Sequence, residues 1–311
     1  MVYVGIDLGG TNIAAGVVDE NGKLLNRVSR PTGPERGAEV IVRDMGAAAL
    51  QAVAEAGFTL DDVAAIGAGV PGIVDPVTGV LPFVTNLGWH QVPFIPWMRQ
   101  MIDKPIYGDN DATVAALAES VSGVSAEYPN SVFLTLGTGL GGGIILNHRI
   151  YSGPRGIASE LGHMIIVAGG ELCTCGNRGC WERYASATAL IRLGKEAAAR
   201  HGGMLTLLKP EDISARTIED AARAGDPAAL EAFDQFTDYL TFGMVSIINF
   251  IDPDIIVVGG GVSGAGDFLL SPVREKLKKH VFYKAMPYAR VEKASLGNDA
   301  GIIGAAMLGR K

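Results

Sequence analysis

At 311 residues the chain is longer than one average core requires and suits two domains of roughly 150 residues each. A hydrophobic fraction of 48% excludes general disorder, yet no window reaches the ~18 uninterrupted apolar residues of a membrane span. The net charge of -7, with basic residues scattered rather than striped, excludes a nucleic-acid-binding surface of the usual kind.

The opening predicts two strands around a glycine turn. Residues 2–6 (VYVGI) and Ile13 to Val18 are apolar runs, and Asp7 to Thr11 separates them. An apolar start interrupted by Asp7 has no basic leader and no cleavage site, which predicts a soluble cytoplasmic protein. Residues 37–56 have helical periodicity, and Val63 to Val70 reads as a buried strand. A Pro/Gly-rich connection from Pro71 to Pro96 precedes a short helix near Trp97 to Ile102. Ile106 and Tyr107 form a strand that ends at Gly108-Asp109-Asn110-Asp111, and Ala112 to Ser120 is a helix capped by that cluster.

The second half restarts the same theme. Ser131 to Leu136 is a strand, Gly137 to Gly143 a turn, and Ile144 to Leu146 a return strand, a weak internal repeat of the opening. Residues 151–180 are loop-rich, and helical patterns dominate 185–250. Asp254 to Val258 is a buried strand running into Gly259-Gly260-Gly261; helices follow over 267–280 and from Ala300 to Leu308. Strands alternating with helices indicate an α/β fold with mostly parallel sheets. The predicted lobes are 1–111 with the C-terminal helix of about 300–311, and 112–299 with a loop at 160–182.

The glycines, 42 in all, are clustered. Asp7-Leu8-Gly9-Gly10-Thr11 and Gly137-Thr138-Gly139 each read as a tight turn or as a phosphate cradle. In the second reading, backbone amides approach an oxygen and Asp7 holds Mg²⁺ or its water. Two matching turns favour a phosphate clamp. Rival nucleotide motifs fail on context. The G-x-G-x-x-G at Gly137 continues as strand rather than helix, and the one at Gly259 lacks the acidic residue that a dinucleotide site needs. No G-x-x-x-x-G-K-[ST] occurs.

Asn110-Asp111 reads equally as a helix cap and as a ligand site at a strand end, with Asp111 a general base for phosphoryl transfer. The three cysteines of the chain lie at 173, 175 and 180, with nine residues between His163 and the first of them. Three thiolates and one imidazole would complete a closed, structural tetrahedral zinc shell; three free thiols beside an unrelated His is the plainer alternative. Glu160 and Glu182 flank this knot and suit sugar hydroxyls.

Together Asp7 to Thr11, Asn110-Asp111, Leu136 to Gly143, Glu160 to His163 and Cys173 to Glu182 resemble the ROK family (repressor, open reading frame, kinase) over essentially the whole chain. Val84 to Trp89 is similar to the bacterial glucokinases within it. The resemblance implies a two-lobed, actin-like (ribonuclease H-like) fold with a ligand cleft between lobes. It further implies ATP-dependent phosphorylation of glucose, with another hexose or polyphosphate as alternatives. Asp111 would be the base, and Asn110, Asn86, Glu160, His163 and Glu182 would bind the sugar. Asp7 would place Mg²⁺. Gly9, Gly10, Thr11, Asn12, Gly137, Thr138 and Gly139 would hold ATP phosphates, and Gly259, Gly260 and Gly261 would approach adenosine. His163, Cys173, Cys175 and Cys180 would be the zinc ligands, and family habit implies a homodimer. Family repressors carry an N-terminal helix-turn-helix; with the first hairpin at residue 2, none is expected here.

Overall fold

Branched and small apolar residues in Val2–Leu8 (β1) and Asn12–Val18 (β2) make a buried antiparallel hairpin, with Leu8 opposite Ile13 at the turn. The computed structural model describes residues 1–84, 87–202 and 213–310. Val28–Pro31 (β3), a strand not predicted from the sequence, adds to the outer side of β2. Ala38–Glu55 (α1) buries Ile41, Val42, Met45, Ala48, Ala49, Ala52 and Val53, one helical stripe. Val63–Val70 (β4) then lies parallel to β1.

The expected connection over 71–96 instead contains an antiparallel ribbon, Leu81–Val84 (β5) with Trp89–Val92 (β6). Strands of four residues are too short to show a period. The following helix is Phe94–Arg99 (α2), a few residues earlier than predicted. Ile106–Asn110 (β7) lies parallel to β4 and leads directly into Asp111–Ser122 (α3). The first sheet therefore has the order β3-β2-β1-β4-β7.

Ser131–Leu136 (β8), Leu140–Leu146 (β9) and Arg149–Ile150 (β10) follow. Next come Glu182–Ala185 (α4), Ala187–Arg200 (α5), Ala215–Arg223 (α6) and Pro227–Ile251 (α7). The part of the predicted helical stretch at 203–212 lies outside the described residues. Ile255–Gly259 (β11), Asp267–His280 (α8), Arg290–Lys293 (β12) and Ala300–Met307 (α9) complete the chain. The second sheet has the order β10-β9-β8-β11-β12. Both sheets thus follow one plan, a hairpin with a third strand outside it and two further strands on the other edge. The weak repeat in the sequence corresponds to this shared topology. Among the described residues, no helix is long and apolar enough to cross a membrane.

The chain divides into two compact units, 1–133 with 143–159 and 295–311, and 134–142 with 160–294. This division differs from a boundary at 111/112. In the first unit α3 buries Ala112, Val114, Ala116 and Ala118 and packs against α9, so it goes with the strands before it. The core of that unit lies between α1, α2 and the sheet face carrying Ile6, Ile13, Ile66 and Ile106. In the second unit α7 is the central helix, packed by α5, α6 and α8.

Candidate functional site

In the first unit, strand register gathers the acidic residues. Asp7 of β1 pairs with Gly69 of β4, which pairs with Asp109 of β7. With strands about 4.8 Å apart, the backbones of Asp7 and Asp109 lie roughly 10 Å from each other. Both are at the carboxyl ends of parallel strands, where open α/β sheets bind ligands. Asn110 caps α3: its Oδ1 accepts from the N–H groups of Ala112 at 2.9 Å and Thr113 at 3.3 Å. Capping occupies the carbonyl oxygen and leaves the amide nitrogen as donor, so the cap and the hydroxyl-binding reading are compatible. Asp111 is the first residue of α3, and its Oδ1 accepts from the Ala112 N–H at 2.8 Å. The positive helix end favours a carboxylate there.

Burial and the nearby Asp111 charge, with Arg27 opposing, push the Asp7 carboxyl up to about 6. Burial also raises Asp109, although the Ser152 hydroxyl donates to it at 3.0 Å and the Asn110 N–H at 2.8 Å. The first glycine turn closes through a Gly9 N–H to Asn12 O bond of 2.9 Å, so Gly9 supplies room there, not a donor. Thr32, fully buried, braces the turn by donating its hydroxyl to Gly9 O and its N–H to Thr11 O, each at 2.8 Å. Sequence reasoning missed the contacts of Thr32, Ser152 and Asp109, because each is made across the tertiary structure without a motif. Asn86 lies outside the described residues.

Asp7→Asn is expected to make the ligand-free protein more stable at neutral pH. A carboxyl whose folded value of about 6 exceeds its unfolded 3.8 contributes stability below pH 3.8 and loses it as pH rises towards 6. The two-unit difference corresponds to about 3 kcal/mol at most. Urea unfolding at pH 7.5 should therefore favour the variant by about 1–3 kcal/mol, with the gap closing near pH 4. The same gap at both pH values would remove burial of the charge as its cause.

In the second unit the other glycine turn is fastened by its carbonyls. Gly137 O accepts from Ala187 N–H at 2.8 Å, and Thr138 O from the Thr188 hydroxyl at 2.7 Å, both at the start of α5. Carbonyl and amide of a trans peptide point in opposite directions, so the N–H groups of Thr138 and Gly139 face away from α5. That is the orientation a phosphate cradle requires. Glu182 lies directly over Gly139, where a Cβ would collide with its carboxylate, and accepts the Leu140 N–H at 3.1 Å. Gly260, at φ 79, is pressed against the backbone of Leu136, which brings Gly259–Gly261 beside the end of β8.

The four predicted metal ligands converge. Donor atoms of His163, Cys173, Cys175 and Cys180 all lie within 4.8 Å of one another. Cys175 and Cys180 sulfurs are 3.6 Å apart, and Cys173 Sγ is 3.8 Å from His163 Nδ1. A tetrahedral shell with ~2.3 Å zinc–sulfur bonds has edges of about 3.7 Å, so the donor set fits that metal. The turn depends on glycine: Gly179, at φ 88, leaves no room for a Cβ beside Val167 O. The Asn177 amide lowers the exposed Cys175 thiol, whereas burial pushes Cys180 up to about 12. With Nδ1 among the sulfurs, His163 turns Nε2 towards Glu160, 4.0 Å away. Glu182 closes the same cluster, its Oε1 3.9 Å from Cys173 Sγ.

The chain matches the ROK family over residues 3–311. It is 38% identical to the glucokinase of Streptomyces coelicolor, over 99% of this chain and 97% of that one. It is similar to the ROK family glucokinase of Streptomyces griseus, solved in complex with glucose and AMPPNP. The TM-score is 0.82 at 36% identity, with 99% of each chain covered. The ROK hexokinase of Thermus thermophilus superposes at a TM-score of 0.83 with 35% identity, covering 99% of this chain and 97% of that one. With the family spanning almost every residue and its relatives covered end to end, the chain belongs to the ROK family and has its α/β, two-lobed, actin-like ATPase fold.

Proposed function

We propose that this chain, an ATP-dependent hexose kinase, is a glucokinase that transfers the γ-phosphoryl group of ATP to the 6-hydroxyl of glucose. The observation that supports it is the register that sets Asp7 level with Asp109, just ahead of Asn110 and Asp111, at the carboxyl ends of the strands, with Asp111 opening a helix. The Asp111 carboxylate takes the proton of the 6-hydroxyl as that oxygen bonds to the γ-phosphorus and ADP departs with the electron pair of the broken P–O bond. The Asn110 amide nitrogen, Glu160, His163, Glu182 and Asn86 hold the ring hydroxyls. The outward N–H groups of Thr138 and Gly139 orient the phosphates, together with the first turn at Gly10 to Asn12, and Gly259–Gly261 borders the adenosine.

Asp7 would hold Mg²⁺, which when bound offsets phosphate charge; its raised carboxyl supports a cation partner, because a buried charge calls for one. His163, Cys173, Cys175 and Cys180 would hold zinc, which locks the loop that carries Glu160, His163 and Glu182. Identities of 36–38% to glucokinases support glucose as acceptor. The test is kcat/KM over a panel of glucose, mannose, fructose, allose and N-acetylated hexoses with ATP or polyphosphate. Glucose with ATP is expected to lead by about tenfold or more. Another hexose or polyphosphate in first place would replace the assignment.

A further inference from the structure

Glu119 lies eight residues beyond Asp111 on α3 and is fully buried. A carboxylate in such a place is tolerated only when its lone pairs are filled. Four donors fill them. Oε1 accepts the N–H groups of Ser295 at 2.8 Å and Leu296 at 2.9 Å. Oε2 accepts the Val124 N–H and the Ser295 hydroxyl, each at 2.9 Å. Three of the four belong to Ser295 and Leu296, 176 and 177 positions away in sequence, and those residues lead through the short turn Gly297–Asp299 into α9.

The placement of α9 bears on the site because this helix is seated on bare backbone. Gly5 of β1 and Gly67 of β4 face the carbonyls of Ile302 and Ala305, and Gly304 faces Val114 O of α3. A Cβ at any of these three glycines would collide, so α9 is wedged without slack between the sheet and α3. Its second residue, Gly301, lies against the Asp7 carboxylate with no space for a side chain. An ion pair of 3.0 Å between Arg27 and Asp299 pins the preceding turn. A shift in where α9 starts is thereby passed both to the end of β1, which carries Asp7, and to α3, which carries Asp111.

We infer that Glu119 is a positioning residue for phosphoryl transfer: by holding Ser295 and Leu296 it fixes where α9 starts and so the mutual placement of Asp7 and Asp111. The inference rests on the reading of Asp111 as base. A packed apolar group could fill the same space, but only a charged acceptor ties four donors in fixed directions.

Glu119→Gln keeps shape but turns an NH₂ towards two donors, whichever way the amide lies. It is expected to lower kcat by about 10- to 100-fold, while KM for the sugar stays within about threefold. On an Asp111→Asn background the same change should alter the residual rate by less than about threefold, because the group being positioned is gone. A kcat equal to the parent's, or the same loss on both backgrounds, would overturn the inference. If circular dichroism shows Glu119→Gln unfolded, Ser295→Ala removes one donor and leaves the backbone bonds. Its kcat should fall by about three- to tenfold on the same pattern, and a parental kcat again overturns it. An active Asp111→Asn protein would count against the base alone, since the kcat of Glu119→Gln in the otherwise unchanged chain does not depend on it.

Discussion

Asp111→Asn is expected to lower kcat by about a thousandfold while glucose still binds within a few-fold of the parent, as isothermal titration would show. Positioned general bases contribute about 10²- to 10⁴-fold, and an amide cannot take the proton of the 6-hydroxyl. The isosteric change isolates that role. The Asn oxygen can still accept the Ala112 N–H that Asp111 holds at 2.8 Å, so the start of α3 should not fray. Asn110 keeps both of its capping bonds, and its amide nitrogen stays available to the sugar. Removing Asp111 also removes a like charge that raises Asp7, so the buried carboxyl should ionise more readily in the variant. A loss of sugar affinity equal to the loss of rate would make Asp111 a binding group instead. Near-normal turnover would dismiss it as the base.

The second large effect concerns the knot. Elemental analysis should find about one zinc per chain, and Cys180→Ser should lose it together with at least about 100-fold in glucose affinity. The reason is geometric. Residues 173–180 make a turn held by Cys173 N–H to Asn177 O at 2.8 Å and Gly179 N–H to Glu171 O at 2.8 Å. Further backbone bonds, Gly176 N–H to Cys173 O and Ile166 N–H to Gly179 O at 3.0 Å each, shape the loop without offsetting the crowding of three sulfurs. His163 and Glu182 belong to the same cluster through their contacts with Cys173, and Glu160 follows His163. Glu182 has a second anchor in the Leu140 N–H, so the Glu160–His163 side should loosen first when a chelator removes the metal. Hydrogen exchange across 160–182 should rise on chelation and fall again on reloading. Zinc-free protein with full activity would refute the structural role.

Much of this was legible in one sequence, and the parts that were not have a common cause. Both glycine hairpins, the strand at 63–70, the helix at 267–280 and the cysteine spacing were readable, because each is a local pattern of period or composition. The strands at 28–31, 81–84, 89–92 and 290–293 were not. Each is only four residues long and takes its form from the neighbour it pairs with. The division at 111/112 looked natural because a strand ends there, yet α3 is buried against α9, which lies some 180 residues later.

The candidate site divides in the same way. Residue types at Asp7, Asn110-Asp111 and His163 to Cys180 suggested phosphate, base and metal chemistry, each beside a plainer structural reading, since that chemistry needs those groups at close spacing. Which atoms they present was decided by tertiary structure. Parallel register set Asp7 level with Asp109, α5 turned the Thr138 and Gly139 amides outward, and burial raised Asp7. Thr32 and Glu119 carry no motif at all, because a brace or a clamp is defined by the distant backbone it holds. Local sequence determines what a residue can do chemically; direction, distance and dielectric come only from the fold that surrounds it.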